Sequence, residues 1–460
     1  MNETFEFSSV FPSPAHEVFD WHKKECAFQR LSPPWDEVQI LERSKGIEKG
    51  ARTVIAVKIW PIWKKWIAEH IDYKEGVSFT DRQLSGPFAS WEHSHIITPV
   101  NSISSKLTDH IEYKLPLGFL GKLFGGQFIQ KKLQRMFRYR HTILKTDLED
   151  ADAMRQNQIR KIVVIGSTGF VGVNLCAYLN STGIEVTKIS RKKEIKQGFN
   201  YWNPEEGDPN PAILENADAI IHLGGESIAE GRWSEAKKNQ IRNSRVNSTT
   251  SLSNVLANLK SPPKVFLCAS GIGIYGNRGN EILNENSTNG VGFLTEVAEA
   301  WEKATEIARN AGIRTVNMRF GIILSPSGGA LKELLFPFKM YLGEFSGKSA
   351  EAYMSWISMD DVLSAIRFCL GNDHIHGPVN FVAPNPVTNR EFIKNLELIF
   401  QRKSLLPVPT FLLKLFMGQK AEDLLLSSTR VSPSKLLENK YKFLYPDLES
   451  ALRHLLGMYS

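Results

Sequence analysis

The apolar run Lys161-Ile-Val-Val-Ile165 leads straight into Gly166-Ser-Thr-Gly169-Phe-Val-Gly172, and this junction constrains the fold more than any other stretch of the 460 residues. A short continuous apolar run predicts a strand covered on both faces, the situation of a parallel sheet. The glycines then have separate duties. Gly166 permits a tight turn, Gly169 lets backbone come close to a pyrophosphate, and Gly172 lets the following helix pack against the strand. Thr168, Phe170 and Val171 lie between them, where the helix N-terminus presents N–H groups and a positive dipole to an anion.

The spacing continues as alternating strands and helices. A helical pattern (Val171, Leu175, Tyr178, Leu179) precedes a second strand, Ile184–Ser190. Further strands are predicted at Ala217–Leu223, Val265–Ser270 and Thr315–Phe320. Such alternation implies βαβ units and an α/β, doubly wound Rossmann sheet. The end of the second strand selects the dinucleotide. An NAD site usually carries Asp or Glu there, whereas this chain reads Ser190-Arg191-Lys192-Lys193. Three cations and a hydroxyl suit a ribose 2′-phosphate, so NADP(H) is the expected cofactor.

Residues 1–150 read differently. Extended runs at Thr4–Val10, Ala51–Ile59, Gly76–Leu84, Trp91–Ile97 and Asp109–Lys114 dominate, and a long helix near 120–138 follows. An antiparallel sheet wrapped round a C-terminal helix is expected. The polar stretch Lys145–Arg160 reads as a linker. From about 386 the pattern is helical, opened by the capping-box sequence Thr388-Asn-Arg-Glu391 and punctuated by Pro407 and Pro409.

Composition excludes several classes. No apolar run approaches a membrane span, and the acidic start lacks an apolar signal core, so no integral membrane segment and a cytoplasmic location are expected. Cys26, Cys176, Cys268 and Cys369 form no C-x-x-C pair. The net charge is +7, and the basic stretch Lys131–Arg140 reads as a core-packing helix with a solvated face; no nucleic acid is expected as partner. His93 and His95, like His374 and His376, alternate as strand residues with no carboxylate or cysteine at metal-site spacing, so no metal is expected. Asp360-Asp361 is read as opening a helix.

Leu223-Gly224-Gly225-Glu226 and Ala269-Ser270-Gly-Ile-Gly-Ile-Tyr275-Gly276 follow two of the later strands. Together with Gly166–Gly172 they resemble the extended short-chain dehydrogenase/reductases. The likeness is greatest to an atypical epimerase-like branch with a C-terminal conserved domain of unknown function, through Glu226–Trp233, Ile241–Arg245, Ala300–Glu302, Ser327–Ala330, Ser355–Asp361, Gly377–Asn380 and Leu405–Pro409. The resemblance covers about 161–460. It implies cofactor contacts at Leu223, Gly224, Gly225, Glu226 and Arg232, in addition to Ser190 and Arg191. Residues 1–150 resemble the START-like (SRPBCC) ligand-binding superfamily through Phe28–Trp35, Gly86–Trp91, Glu112–Gly118 and Met136–Arg140. That resemblance implies an α+β helix-grip domain able to hold a hydrophobic ligand. The expected organisation is a START-like domain at 1–148, a linker at 149–160, a Rossmann domain at 161–385 and a helical C-terminal domain at 386–460.

The reductase family's proton-transfer pair is missing. Its Tyr-x-x-x-Lys helix reads Gly292–Trp301 here, with Leu294 and Ala298 at the equivalent places, and the usual hydroxyl position falls on Gly271, one place after Ser270. Three readings stay open. Ser270, Tyr275 or Glu226 supplies a different acid/base for a small-molecule substrate, giving a nonstandard oxidoreductase or epimerase. Alternatively the chain binds NADP(H) without turnover. In the third reading the N-terminal domain holds an apolar substrate or product and passes it on. Arg232, Arg242 and Arg245 are candidates to meet phosphates or a substrate carboxylate.

Overall fold

The computed structural model describes all residues except 1, 45, 60, 117, 194–197, 345–346, 405, 408–426 and 460. They divide into two compact units, residues 1–156 with 180–183 and 456–460, and residues 157–179 with 184–455.

In the first unit seven antiparallel strands form one sheet, in the order Glu3–Phe11, Ser104–Lys114, Ser90–Asn101, Ser78–Ser85, Ile62–Lys74, Arg52–Ile59 and Val38–Arg43. Helices Ala15–Lys23 and Ala27–Leu31 fill the connection after the first strand, and helix Gly118–Gln156 follows the last. Burial of one sheet face holds these parts together. Val18, Phe19 and Trp21 pack with Phe79, Ile97, Leu107, Leu144 and Leu148. Nearer the start of the long helix, Leu133 and Phe137 cover Phe5, Trp91, Ile111 and Tyr113. The five predicted strands are present, and Val38–Arg43 and Ile62–Lys74 are added to them. The expected linker at 149–160 is corrected: the helix runs through it to Gln156. Leu144, Leu148, Ala151 and Met154 recur on one buried face. Asp147, in the same stretch, is buried because Arg30 pairs with it at 2.6 Å.

The second unit is built on a seven-stranded parallel sheet, ordered Phe199–Tyr201, Glu185–Ser190, Lys161–Ile165, Ala219–His222, Val265–Gly271, Arg314–Phe320 and Gly377–Phe381. This is a Rossmann-type order, with its reversal between Lys161–Ile165 and Ala219–His222. Ile162, Val163 and Val164 are fully buried, as strands covered on both faces require. Residues 386–455 are not separate from this unit. Arg430–Val431 pairs with Ile282–Leu283, and Val387–Thr388 pairs with Tyr353–Met354. Thr388 and Glu391 form the expected capping box of helix Asn389–Phe400. Of the C-terminal tail, residues 405 and 408–426, with the expected break at Pro409, lie outside the described residues. Ser358 caps helix Met359–Gly371, and the buried Asp361 accepts from Ser358 Oγ and from the backbone of Leu444 and Tyr445. Among the described residues no helix is long and apolar enough to cross a membrane.

Candidate nucleotide-binding site

The reversal of strand order leaves a crevice at the carboxyl ends of Lys161–Ile165 and Ala219–His222, the place where open α/β sheets bind ligands. Gly166 and Leu223-Gly224 meet there. Gly166 has φ +79°, and a Cβ on it would stand 2.8 Å from the Gly224 nitrogen. A Cβ on Gly172 would stand 2.2 Å from the Gly166 carbonyl oxygen, so the helix sits directly on the turn. Gly169 is looser: its Cβ would lie 3.3 Å from that same oxygen. Thr168 and Gly169 are exposed at the mouth. Ser167 Oγ donates to the Ile189 carbonyl at 2.9 Å, tying the turn to the second strand. Val171 is half-buried in the first turn of the helix.

The second strand ends at the buried Ser190, whose Oγ lies 3.4 Å from Thr168 Oγ1 and accepts from the Lys192 N–H. Arg191 extends from it to Glu226 Oε2 at 3.0 Å, while Lys237 Nζ takes Glu226 Oε1 at 2.6 Å. Lys237, and then Arg191, hold the Glu226 carboxyl below its ordinary pKa. A carboxylate so held is an anchor for cations rather than a proton carrier. Lys237 was not legible as part of the site, because it lies on the next helix with no local signal pointing back to Glu226. The exposed Gly225 faces Arg245, since a Cβ there would come 3.1 Å from the guanidinium carbon. Arg245 donates to the Glu226 carbonyl and lies over the Trp301 ring. Burial lowers its pKa to about 10. Arg232 and Arg242 are exposed.

Two further features support the crevice. His222, fully buried, has its pKa pushed down to about 4 by burial and by Arg245. Ser248 gives its proton to backbone carbonyls, so His222 Nε2 donates to Ser248 Oγ and Nδ1 accepts the Gly224 N–H. The neutral ring thereby fixes the second turn. Phe170, opening the first helix, rests on Gly328 and Gly329, where a Cβ would come 2.7 Å and 3.2 Å from its ring.

The two hydroxyls expected to do acid/base work face inward. Ser270 Oγ donates to Glu302 Oε1 at 2.7 Å. Glu302 grips Arg319 with both oxygens at 2.8 Å. Arg319 donates to the Tyr275 hydroxyl at 2.9 Å, and that hydroxyl donates to Asn380 Oδ1 at 2.8 Å. Tyr275 is fully buried among Ile274, Leu283, Ala298, Val382 and Val431, and burial raises its pKa. In this arrangement Tyr275 braces the domain core. Tyr275→Phe is accordingly expected to cost about 1–2 kcal/mol of stability for the lost buried hydrogen bonds. Nucleotide affinity should stay unchanged, as paired thermal melts and NADPH titrations would report; a loss of affinity with an unchanged melt would contradict the assignment. Half-buried Leu294 packs on Gly273, and Ala298 is buried. One cleft of about 420 Å³, lined by Asn157, Arg367, Phe368, Gly371, Asn372, Asp373 and His374, lies before the first residues of strands Lys161–Ile165 and Gly377–Phe381. That is the opposite strand end from the glycine turns, so it plays no part in the crevice.

Sheet order, glycine turn and crevice define a dinucleotide-fold protein of the reductase/epimerase class. Residues 162–381 match the NAD dependent epimerase/dehydratase family, and residues 408–455 match a domain of unknown function, DUF1731. The chain belongs to this epimerase family, in the branch that carries DUF1731. An epimerase family protein of Mycobacterium bovis is 35% identical over 291 residues, covering 63% of this chain and 96% of the relative. The human epimerase family protein SDR39U1 is 30% identical over 300 residues, covering 65% of this chain and all of the relative. A crystal structure of a nucleoside-diphosphate sugar epimerase from Corynebacterium glutamicum superposes with a TM-score of 0.81 at 31% identity, covering 98% of this chain and 90% of that one. The structure of human SDR39U1 with NADPH superposes with a TM-score of 0.59 at 28% identity, covering 64% of this chain and 99% of that one.

Proposed function

We propose that this chain binds NADP(H) at the glycine turn and acts as an oxidoreductase or epimerase on a small molecule held at the carboxyl ends of the parallel strands. One observation carries the cofactor choice. The second strand ends in Ser190 and Arg191 instead of a carboxylate, and Glu226 with Lys237 holds Arg191 at the crevice. A 2′-phosphate would compete with Glu226 for Arg191 and gain charge-assisted hydrogen bonds from it and from Ser190. Gly166, Gly169 and Gly172 leave room for the pyrophosphate over the helix N-terminus, with Thr168, Phe170, Val171, Leu223, Gly224 and Gly225 around it and Arg232 at the exposed side. The NADPH found with the human relative supports the same choice. Bound there, the dinucleotide supplies or accepts a hydride.

The test is a fluorescence titration with NADPH and NADH on the parent chain and on Arg191→Ala. NADPH is expected to bind more tightly, and the variant to lose roughly 10- to 100-fold of that preference, the worth of one charge-assisted contact. If neither nucleotide binds, the turn is a packing device and the proposal falls. A second reading, NADP(H)-responsive binding without turnover, is favoured by the inward commitment of Ser270 and Tyr275 to the Glu302–Arg319 pair. Oxidation of NADPH on addition of carbonyl compounds separates the two readings.

For the first unit we propose a START-like helix-grip fold. The support is a seven-stranded antiparallel sheet, paired helices after its first strand, and a long C-terminal helix. A hydrophobic ligand is its proposed partner, and lipid co-purifying with the full chain would test this. A cytoplasmic location fits the four buried, unpaired cysteines.

A further inference from the structure

A sheet face covered by helices should be apolar, yet the centre of this face in the first unit is not. His70, Asp81 and His93 stand opposite one another on three neighbouring strands. Two residues along, on the same face, His95 stands opposite Asp109. The carboxylate next to them in the sequence, Glu92, alternates to the other face, and neighbouring strands deliver two on this one.

The nitrogens are sorted by partner. Asp109 Oδ1 lies 2.9 Å from His93 Nε2 and 2.6 Å from His95 Nδ1, and its Oδ2 lies 2.6 Å from His141 Nε2 on the long helix. Asp109 thus hydrogen-bonds His93 Nε2, while His95 Nδ1 lies against the same carboxylate oxygen without hydrogen-bond alignment. Their other nitrogens, His93 Nδ1 and His95 Nε2, turn to Asp81 Oδ2 at 3.4 Å and 4.0 Å. Those gaps exceed a good hydrogen bond. Two donor atoms on one tetrahedral ion, each at about 2.1 Å, stand about 3.4 Å apart. One ligand atom from each of Asp81, His93 and His95 lies within 4.8 Å of the other two.

A neutral His93 whose Nε2–H is given to Asp109 aims its Nδ1 lone pair at Asp81, and two acceptors facing each other repel. Something positive belongs between them. We propose that Asp81, His93 and His95 bind one divalent transition-metal ion, with Asp109 positioning His93 from behind. Two imidazoles and a carboxylate suit Zn²⁺ or Fe²⁺. The hydrogen bond from His93 to Asp109 supplies the carboxylate–histidine support that such ligands use to fix their tautomers. His70 stands across from Asp81 on the next strand but is not among the three residues whose ligand atoms lie within 4.8 Å of one another. The ion's two charges would balance the half-buried Asp81 and the buried Asp109.

The test uses the full-length chain without a histidine tag. Elemental analysis after purification without chelators is expected to give close to one zinc or iron per chain. After chelation, one equivalent of Co²⁺ should produce visible d–d absorption that Zn²⁺ removes. Asp81→Asn and His95→Gln, checked for folding by circular dichroism, should lose both signals while leaving nucleotide titrations unaltered. Should those variants fail to fold, X-ray absorption on the parent Co²⁺ form decides, with a mixed N/O shell containing imidazole expected. The proposal is overturned if no metal co-purifies and Co²⁺ leaves the folded parent chain colourless, since a proton on His93 then fills the gap. It is equally overturned if folded variants keep the metal, or if the absorption shell contains no imidazole.

Discussion

Gly172→Ala should bind NADPH at least about 100-fold more weakly than the parent chain, equivalent to ~2.7 kcal/mol, and should also melt at lower temperature. The new Cβ would need to stand 2.2 Å from the Gly166 carbonyl oxygen and 2.8 Å from the Ser167 Cα. Both obstacles are backbone, so neither can rotate away. Helix Phe170–Ser181 must lift off the turn, and its N–H groups leave the place where a pyrophosphate would lie. Overpacking of this kind typically costs about 1–3 kcal/mol of stability. Gly169→Ala is the matched control. Its Cβ meets the same oxygen at 3.3 Å, which a shift of a few tenths of an ångström relieves. That variant should fold nearly normally and lose affinity only, because its methyl group projects where the nucleotide approaches. Equal nucleotide affinity in Gly172→Ala and the parent chain would refute the placement of the site.

Glu302→Ala is expected to destabilise the second unit by roughly 3–5 kcal/mol, the usual result of leaving one partner of a buried ion pair alone. The Arg319 side chain is 6% exposed and that of Glu302 13%. Burial opposes the charge on Arg319, but the bidentate Glu302 carboxylate outweighs it and the arginine pKa is raised. Without Glu302 the guanidinium keeps only the Tyr275 hydroxyl, and Ser270 loses its acceptor. At about 2–4 °C per kcal/mol for a unit of this size the melting temperature should fall by roughly 10 °C. The double variant Glu302→Leu/Arg319→Met should recover much of the loss, because an apolar pair carries no unpaired charge. A Glu302→Ala melt within about 1 °C of the parent would show that water reaches Arg319.

The parallel sheet was readable because strands buried on both faces must be apolar along their length, and Lys161–Ile165 is. The first unit was harder. Strand Ile62–Lys74 contains Lys64, Lys65, Glu69 and Asp72, opens with four exposed residues and has none fully buried, so its hydrophobic alternation is diluted. The supposed linker failed for a different reason: Ala151 and Met154 carry the buried spacing of Leu144 and Leu148 into it, but acidic residues mask the pattern, and Asp147 just before it faces inward to meet Arg30. In the nucleotide site the turn glycines and Arg191 stood out because their spacing is local. Lys237 had no such signal, and Glu302 and Asn380 stood in resemblance motifs that did not reveal their partners, since Arg319 and Tyr275 lie on other elements. The histidine cluster was hidden likewise: Asp81 and Asp109 reach His93 and His95 only through strand pairing.

The contact between Gly166 and Gly224 also governs how such a chain could be re-engineered. Both walls of the crevice at that point are main chain, so no residue there can be traded to tune what binds. Freedom to alter preference is displaced to the rim, onto Arg191, Lys192 and Lys193, whose side chains are exposed. A designer seeking to exchange one dinucleotide for another would leave the hinge of the two turns untouched. The exchange would be written in those three positions, together with the Glu226–Lys237 pair that braces the first of them.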